Sequence, residues 1–83
     1  MVTGKVTALT TPVKIVGQDG SDRTVYLQCE TSVAHIGGST VSTSTGLHMD
    51  INDKIVLNIK GGDDLWAVST LGTSVLSYMV ITK

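Results

Sequence analysis

Apolar residues recur at every second position in a series of short runs, the spacing of strands buried on one face. Residues 5–9, KVTAL, place Val6 and Ala8 on one side, and residues 13–17, VKIVG, place Val13 and Ile15 together. In residues 23–30, RTVYLQCE, Val25, Leu27 and Cys29 share one face while Tyr26, Gln28 and Glu30 share the other. Residues 54–60, KIVLNIK, set Ile55, Leu57 and Ile59 inward, with Val56 and Asn58 outward. LWAVST at 65–70 follows, and then SVLSYMVIT at 74–82. This last run is apolar on both faces: Val75, Met79 and Ile81 on one, Leu76, Tyr78 and Val80 on the other. A strand that is apolar on both faces is covered on both. In so small a protein the second cover is expected to be another subunit.

Helical patterning is missing. No window sustains apolar residues at i, i+3, i+4 and i+7, and Val, Ile and Thr outweigh the good helix formers. Turn chemistry separates the runs instead: GQDGSD (17–22), IGGS (36–39), INDK (51–54), GGDD (61–64) and LGT (71–73). Gly, Asn and Asp supply the left-handed or side-chain-bonded backbone that tight turns need. Pro12, which lacks an N–H, suits the start of an edge strand.

The stretch AHIGGSTVSTSTGLHM at 34–49 is polar and nearly uncharged, yet it continues the β pattern. The expectation is that Ile36 ends a strand and that Gly37 and Gly38 turn the chain. Val41 and Thr43 then carry the next strand, and Gly46 releases it into Leu47. The whole pattern predicts an all-β protein: a small antiparallel β-sandwich or jelly-roll-like barrel of about seven to eight short strands. Residues 1–83 are expected to form a single domain.

Composition narrows the function classes. The net charge is −1, from six basic and seven acidic residues spread along the chain. No basic patch is visible, which disfavours a surface that tracks nucleic-acid phosphates. Only 16% of residues are charged, and Ser and Thr, 20 residues between them, supply the polarity. Hydroxyls carry no formal charge and hydrogen-bond readily to a neighbour, so such a surface suits close packing against other proteins. No apolar run is long enough to span a membrane, and the first ten residues, MVTGKVTALT, lack the apolar core of a signal peptide. A chain of this size has a thin core and often gains stability from disulfides, metals or self-association. A lone Cys29 forms no internal disulfide, so self-association is the expected staple.

Candidate chemistry is sparse. His35 and His48, with Asp50 or Asp53, are the residues from which a ligand set or a base would be built. Their spacing is not that of a zinc motif, and the simpler reading is two half-exposed strand residues. Cys29 alternates with Val25 and Leu27 and is expected to be buried and inert, because a reactive thiolate needs a cationic, partly exposed setting. QDGSD, DIND and GGDD lack the full calcium-loop pattern and read as hairpin turns. Asp63 and Asp64, adjacent in an extended chain, point to opposite faces and make a poor acid/base pair. There is no nucleophile elbow and no phosphate-binding glycine loop, so no catalytic residue and no cofactor are expected. Trp66 and Tyr78 are either interface anchors or fillers of the largest core gap.

One stretch carries a resemblance. VAHIGGSTVSTSTGLHM, then KIVLNI, then DDLWAVSTLGTSVLSYMVI resembles small structural proteins of tailed bacteriophages. The matching positions are Ile36, Gly37, Gly38, Val41, Thr43, Gly46, Leu47, Leu65, Trp66, Ala67, Gly72 and Thr73. They cover about the last fifty residues, and most are turn glycines and core positions. Where that family usually has Gly before the KIVL strand, this chain has Asn52 and Asp53. The resemblance implies a virion component without enzymatic activity, made in the bacterial host cytoplasm and placed on the capsid surface. Its role would be a decoration or cement protein, a homotrimer bound to the major capsid protein. The surface expected to meet a sister subunit or the capsid is Trp66, Leu76, Tyr78 and Val80. The alternatives are a tail- or fibre-associated module that binds carbohydrate or receptor, and a head–tail connector accessory protein.

Overall fold

The computed structural model describes residues 2–18, 20–70 and 72–82. Among these residues eight strands form: β1 (Val2–Ala8), β2 (Val13–Val16), β3 (Arg23–Cys29), β4 (Ala34–Gly37), β5 (Leu47–Met49), β6 (Lys54–Ile59), β7 (Leu65–Ser69) and β8 (Ser74–Thr82). They make two four-stranded sheets, ordered β1-β8-β3-β6 and β2-β7-β4-β5. Every neighbouring pair is antiparallel.

The pairing has a simple logic. The first strand pairs with the last, the second with the seventh, the third with the sixth and the fourth with the fifth. That is the pairing of one long hairpin, with its tip at residues 38–46, wrapped so that successive pairs fall alternately into the two sheets. This is the jelly roll, the double-sheet solution to packing eight short strands. The expected all-β sandwich is the observed fold.

The core lies between the sheets. It holds Ala8, Val16, Val25, Leu27, Cys29, Ala34, Ile36, Met49, Leu65, Ala67, Leu76 and Val80. The alternation read in β3 is reproduced, with Val25, Leu27 and Cys29 inward, and the inward set extends one step further to Arg23. In β2 the register slips between Lys14 and Val16. The bulge makes Val16 the buried residue there and leaves Ile15 half-buried against the core, where simple alternation would pair Val13 with Ile15.

One expected strand does not form. Residues 38–46 are a loop, not a strand carrying Val41 and Thr43. Ser42 organises it locally. Its carbonyl accepts from Gly46 N at 2.9 Å and from Thr45 N at 3.2 Å, and its hydroxyl lies 2.9 Å from Thr45 Oγ1. Ser and Thr side chains compete with a ladder for backbone groups in this way. Thr43 is exposed and Val41 is buried, but Val41 is not part of the core between the sheets. It packs on the outer face of the second sheet. A Cβ on Gly46 would fall 2.6 Å from Val41 Cγ2 and 2.7 Å from His35 Cβ, so only glycine lets the loop lie this close.

The turns between strands follow the expected chemistry where they are described. Asn52, in the INDK turn, adopts φ 70°, a left-handed conformation that Asn tolerates better than most residues. Asp19 of GQDGSD and Leu71 of LGT lie outside the described residues.

Candidate functional site

Among the described residues, two places that bring chemistry-bearing side chains together on the outer faces of the sheets stand out. The first is the outer face of the sheet β1-β8-β3-β6. Register puts Met79, Tyr26 and Val56 side by side in one row across β8, β3 and β6, and Ser77, Gln28 and Lys54 in another. Between them runs the row Tyr78, Leu27 and Ile55, whose side chains alternate to the inner face. The result is an open groove of about 360 Å³, lined by these nine residues. Val56 is 55% exposed and Tyr26 40% exposed. Large apolar side chains held open on a sheet face are the kind of surface that marks an interaction site. Charge sits at the rim, with the exposed ammonium of Lys54 on β6 and the Lys5–Glu30 pair, at 3.4 Å, beyond Ser77.

The second place is on the opposite sheet. His35 on β4 and His48 on β5 are direct cross-strand partners. Their parity puts both on the outer face, because Ala34, Ile36 and Met49 point inward. His35 is only 8% exposed, tucked below the 38–46 loop, whereas His48 is open to solvent. His48 Nδ1 lies 3.3 Å from His35 Nε2, and His48 Nε2 lies 2.9 Å from Asp50 Oδ1. The two histidines are therefore not a pair of independent half-exposed strand residues. Sequence spacing missed the pairing because the loop length that sets the β4–β5 register is not written in the spacing of thirteen. Asp53 takes a different part, accepting the backbone N–H of Asp50 at 2.8 Å and closing the turn. Among the described residues no group of three or more His, Cys, Asp or Glu side chains is placed to hold a metal ion.

The four residues expected at an interface are not all at the surface. Leu76 is 0% exposed and Val80 8% exposed, and both belong to the core between the sheets. Their area is already used inside the chain, so they are not free to meet a partner. Tyr78 is half-buried, packs against that core and lies across Gly4. The outward positions of β8 are Val75, Ser77, Met79 and Ile81, all half-buried. Trp66 sits on the outer face of the second sheet, half-buried, with Lys14 Nζ 5.4 Å from its ring centroid. The groove side chains Tyr26 and Val56 were legible as outward-facing but not as partners. Only the register of three strands brings them together with Met79.

Cys29 is buried, as its alternation indicates. Its thiol donates to the Ser32 carbonyl at 2.6 Å, beside the Ser74 hydroxyl at 3.6 Å.

Comparison with protein families, with curated proteins and with solved structures returns no match, so the reading of these two sites rests on their own geometry.

Proposed function

We propose that this chain is a non-enzymatic structural protein of a tailed-phage virion, a decoration protein that binds the outer head lattice as a homotrimer. The single observation that carries the reading is the groove on the outer face of β8, β3 and β6, where Tyr26 and Val56 stand open beside the half-buried Met79. A rigid, pleated, weakly charged face offers a neighbouring protein apolar area at low desolvation cost. The Ser/Thr-rich character of the rest of the surface supports the same use. Jelly rolls serve viral capsid and lectin domains alike, an analogy of fold that adds support and no more.

The contact between subunits is assigned to the open side of the sandwich. β5 and β6 are edge strands. Leu47 points inward beside Ile36 yet is 51% exposed, and Ile51 in the adjoining turn is equally open. Ile55, Leu57 and Ile59 on β6 are only half-buried. A seam of this kind is completed by a second copy. Binding of the trimer to neighbouring capsid subunits stabilises the assembled lattice, since a ligand of the assembled state alone shifts the equilibrium toward it.

The test adds purified protein to phage heads that lack it. The expected result is saturable binding and a higher rupture temperature for the heads. Val56→Lys and Tyr26→Ser should weaken binding without lowering the melting temperature of the free protein. Heads that bind neither the native protein nor gain stability from it would overturn the reading. Saturable binding to host glycans would instead point to a tail or fibre module.

A further inference from the structure

We propose that His35 and His48 form a bidentate site for a first-row divalent transition-metal ion of borderline softness, with Zn²⁺, Ni²⁺ and Cu²⁺ as the class. The ligand atoms are His35 Nε2 and His48 Nδ1, and water completes the coordination sphere.

Three observations carry this. The first is the bite. Two imidazole nitrogens bound at about 2.0–2.1 Å to a tetrahedral ion lie roughly 3.3–3.4 Å apart. The two nitrogens are 3.3 Å apart before any ion binds. The second is the approach of the rings, whose centroids are 4.9 Å apart with planes crossing at 80°. A straight N–H···N bond of this length would hold the centroids about 5.6 Å apart. The approach is bent, as it must be for two ligands that converge on one atom.

The third is the position of Asp50. An ionised carboxylate only accepts hydrogen bonds, so a neutral His48 carries its proton on Nε2 and donates it to Asp50 Oδ1 at 2.9 Å. That leaves the Nδ1 lone pair directed at His35. A carboxylate behind a histidine fixes the ring and raises its basicity in metal sites generally.

Binding requires His35 to change tautomer. With His48 neutral and donating Nε2–H to Asp50, the proton between the rings belongs to His35 Nε2, because His48 Nδ1 is then the acceptor. His35 Nδ1 is buried without a partner. Moving the proton from Nε2 to Nδ1 frees Nε2 to ligate and turns the unpaired Nδ1 from an acceptor into a buried N–H donor, a cost that the new metal–nitrogen bond has to exceed. The backbone is set as well: the two residues are register partners on adjacent strands, so little ordering remains to be done.

The experiment titrates the full chain with ZnCl₂ and follows the imidazole ¹⁵N and ¹H resonances, with calorimetry in parallel. Both histidines should shift together along one saturable 1:1 isotherm. His48→Gln, at an exposed position that does not endanger folding, should abolish it. Asp50→Asn should weaken binding about 10–100-fold while leaving the fold intact. Mg²⁺ at the same concentration should move neither ring. A shift of His48 alone, no shift at all, or undiminished binding by His48→Gln would each overturn the proposal.

Discussion

At the scale of single residues, Arg23 does more than its place at the start of a strand announces. It is 2% exposed, on the same inward parity as Val25 and Leu27. Its guanidinium donates Nε to the Ser21 carbonyl at 3.0 Å, a terminal nitrogen to the Gly17 carbonyl, and the other terminal nitrogen to the carbonyls of Lys60 and Asp63 at 3.1 and 2.9 Å. One planar fork thus ties the β2–β3 turn to the β6–β7 turn. The same two turns meet directly: Gly20 N donates to Gly61 O, and Asp22 Oδ1 accepts from Gly61 N. A Cβ at Gly61 would fall 2.5 Å from the Gly20 carbonyl carbon, so the backbones touch where a side chain has no room. Arg23→Met keeps the length of the side chain and removes the guanidinium donors from those carbonyls, while Lys60 O still accepts from Asp63 N at 3.0 Å. It should destabilise the fold by about 2–4 kcal/mol in urea denaturation. Arg23→Lys should recover little, because a single ammonium does not reproduce a five-donor fork. A loss below about 1 kcal/mol for either variant would show that the turns hold without it.

At the scale of elements, inward parity and burial separate at the edges of the sandwich. Leu47 and Met49 lie on the same face of β5, opposite Ile36 and Ala34. Met49 is among the most buried side chains of the protein, whereas Leu47 lies half open at the strand's start. Met49→Ala should therefore cost about 2–5 kcal/mol, as large-to-small changes in closed cores do, and Leu47→Ala under about 1 kcal/mol in the monomer. Equal losses, read from thermal or urea midpoints, would mean that β5 is covered along its whole length. The contrast also locates what the sequence was able to tell. Period-two spacing identified β3 and β6 with their inward residues, where apolar and polar positions alternate over several repeats, and located β7 and β8 without deciding which of their faces is inward. It placed Val41 and Thr43 on a strand because Val and Thr are β-prone, while the Ser42 hydroxyl and carbonyl instead fold the segment on itself. It assigned Leu76 and Val80 to an interface because both faces of β8 are apolar. Which face meets the other sheet is decided by pairing, and the register of β8 with β1 and β3 turns those two inward. The His35–His48 contact and the groove are cross-strand facts of the same kind, and neither is legible along one strand.

At the scale of the whole molecule, the nested hairpin makes a statement about folding order. The β4–β5 pair closes over the short 38–46 loop, at Ile36↔Leu47. The β3–β6 pair closes at Gln28↔Lys54, β2–β7 at Val16↔Leu65 and β1–β8 at Ala8↔Ser74, each outside the last. Loop closure costs more as the loop grows, yet each pair formed shortens the loop that the next must close. Zipping from the tip outward is therefore the least costly route, and a topology dominated by such distant pairings should fold in milliseconds to seconds rather than microseconds. Conservative truncations test this. Val25→Ala and Leu57→Ala, on the third and sixth strands, should slow folding and give φ-values of about 0.5–0.8. Val6→Ala, on the first strand, should mainly speed unfolding, with φ of about 0–0.3. The opposite ranking in stopped-flow chevrons would place the nucleus at the closing pair β1–β8. In that case the outer strands, and not the Ser42-organised tip, would set the register that opens the groove and joins the two histidines.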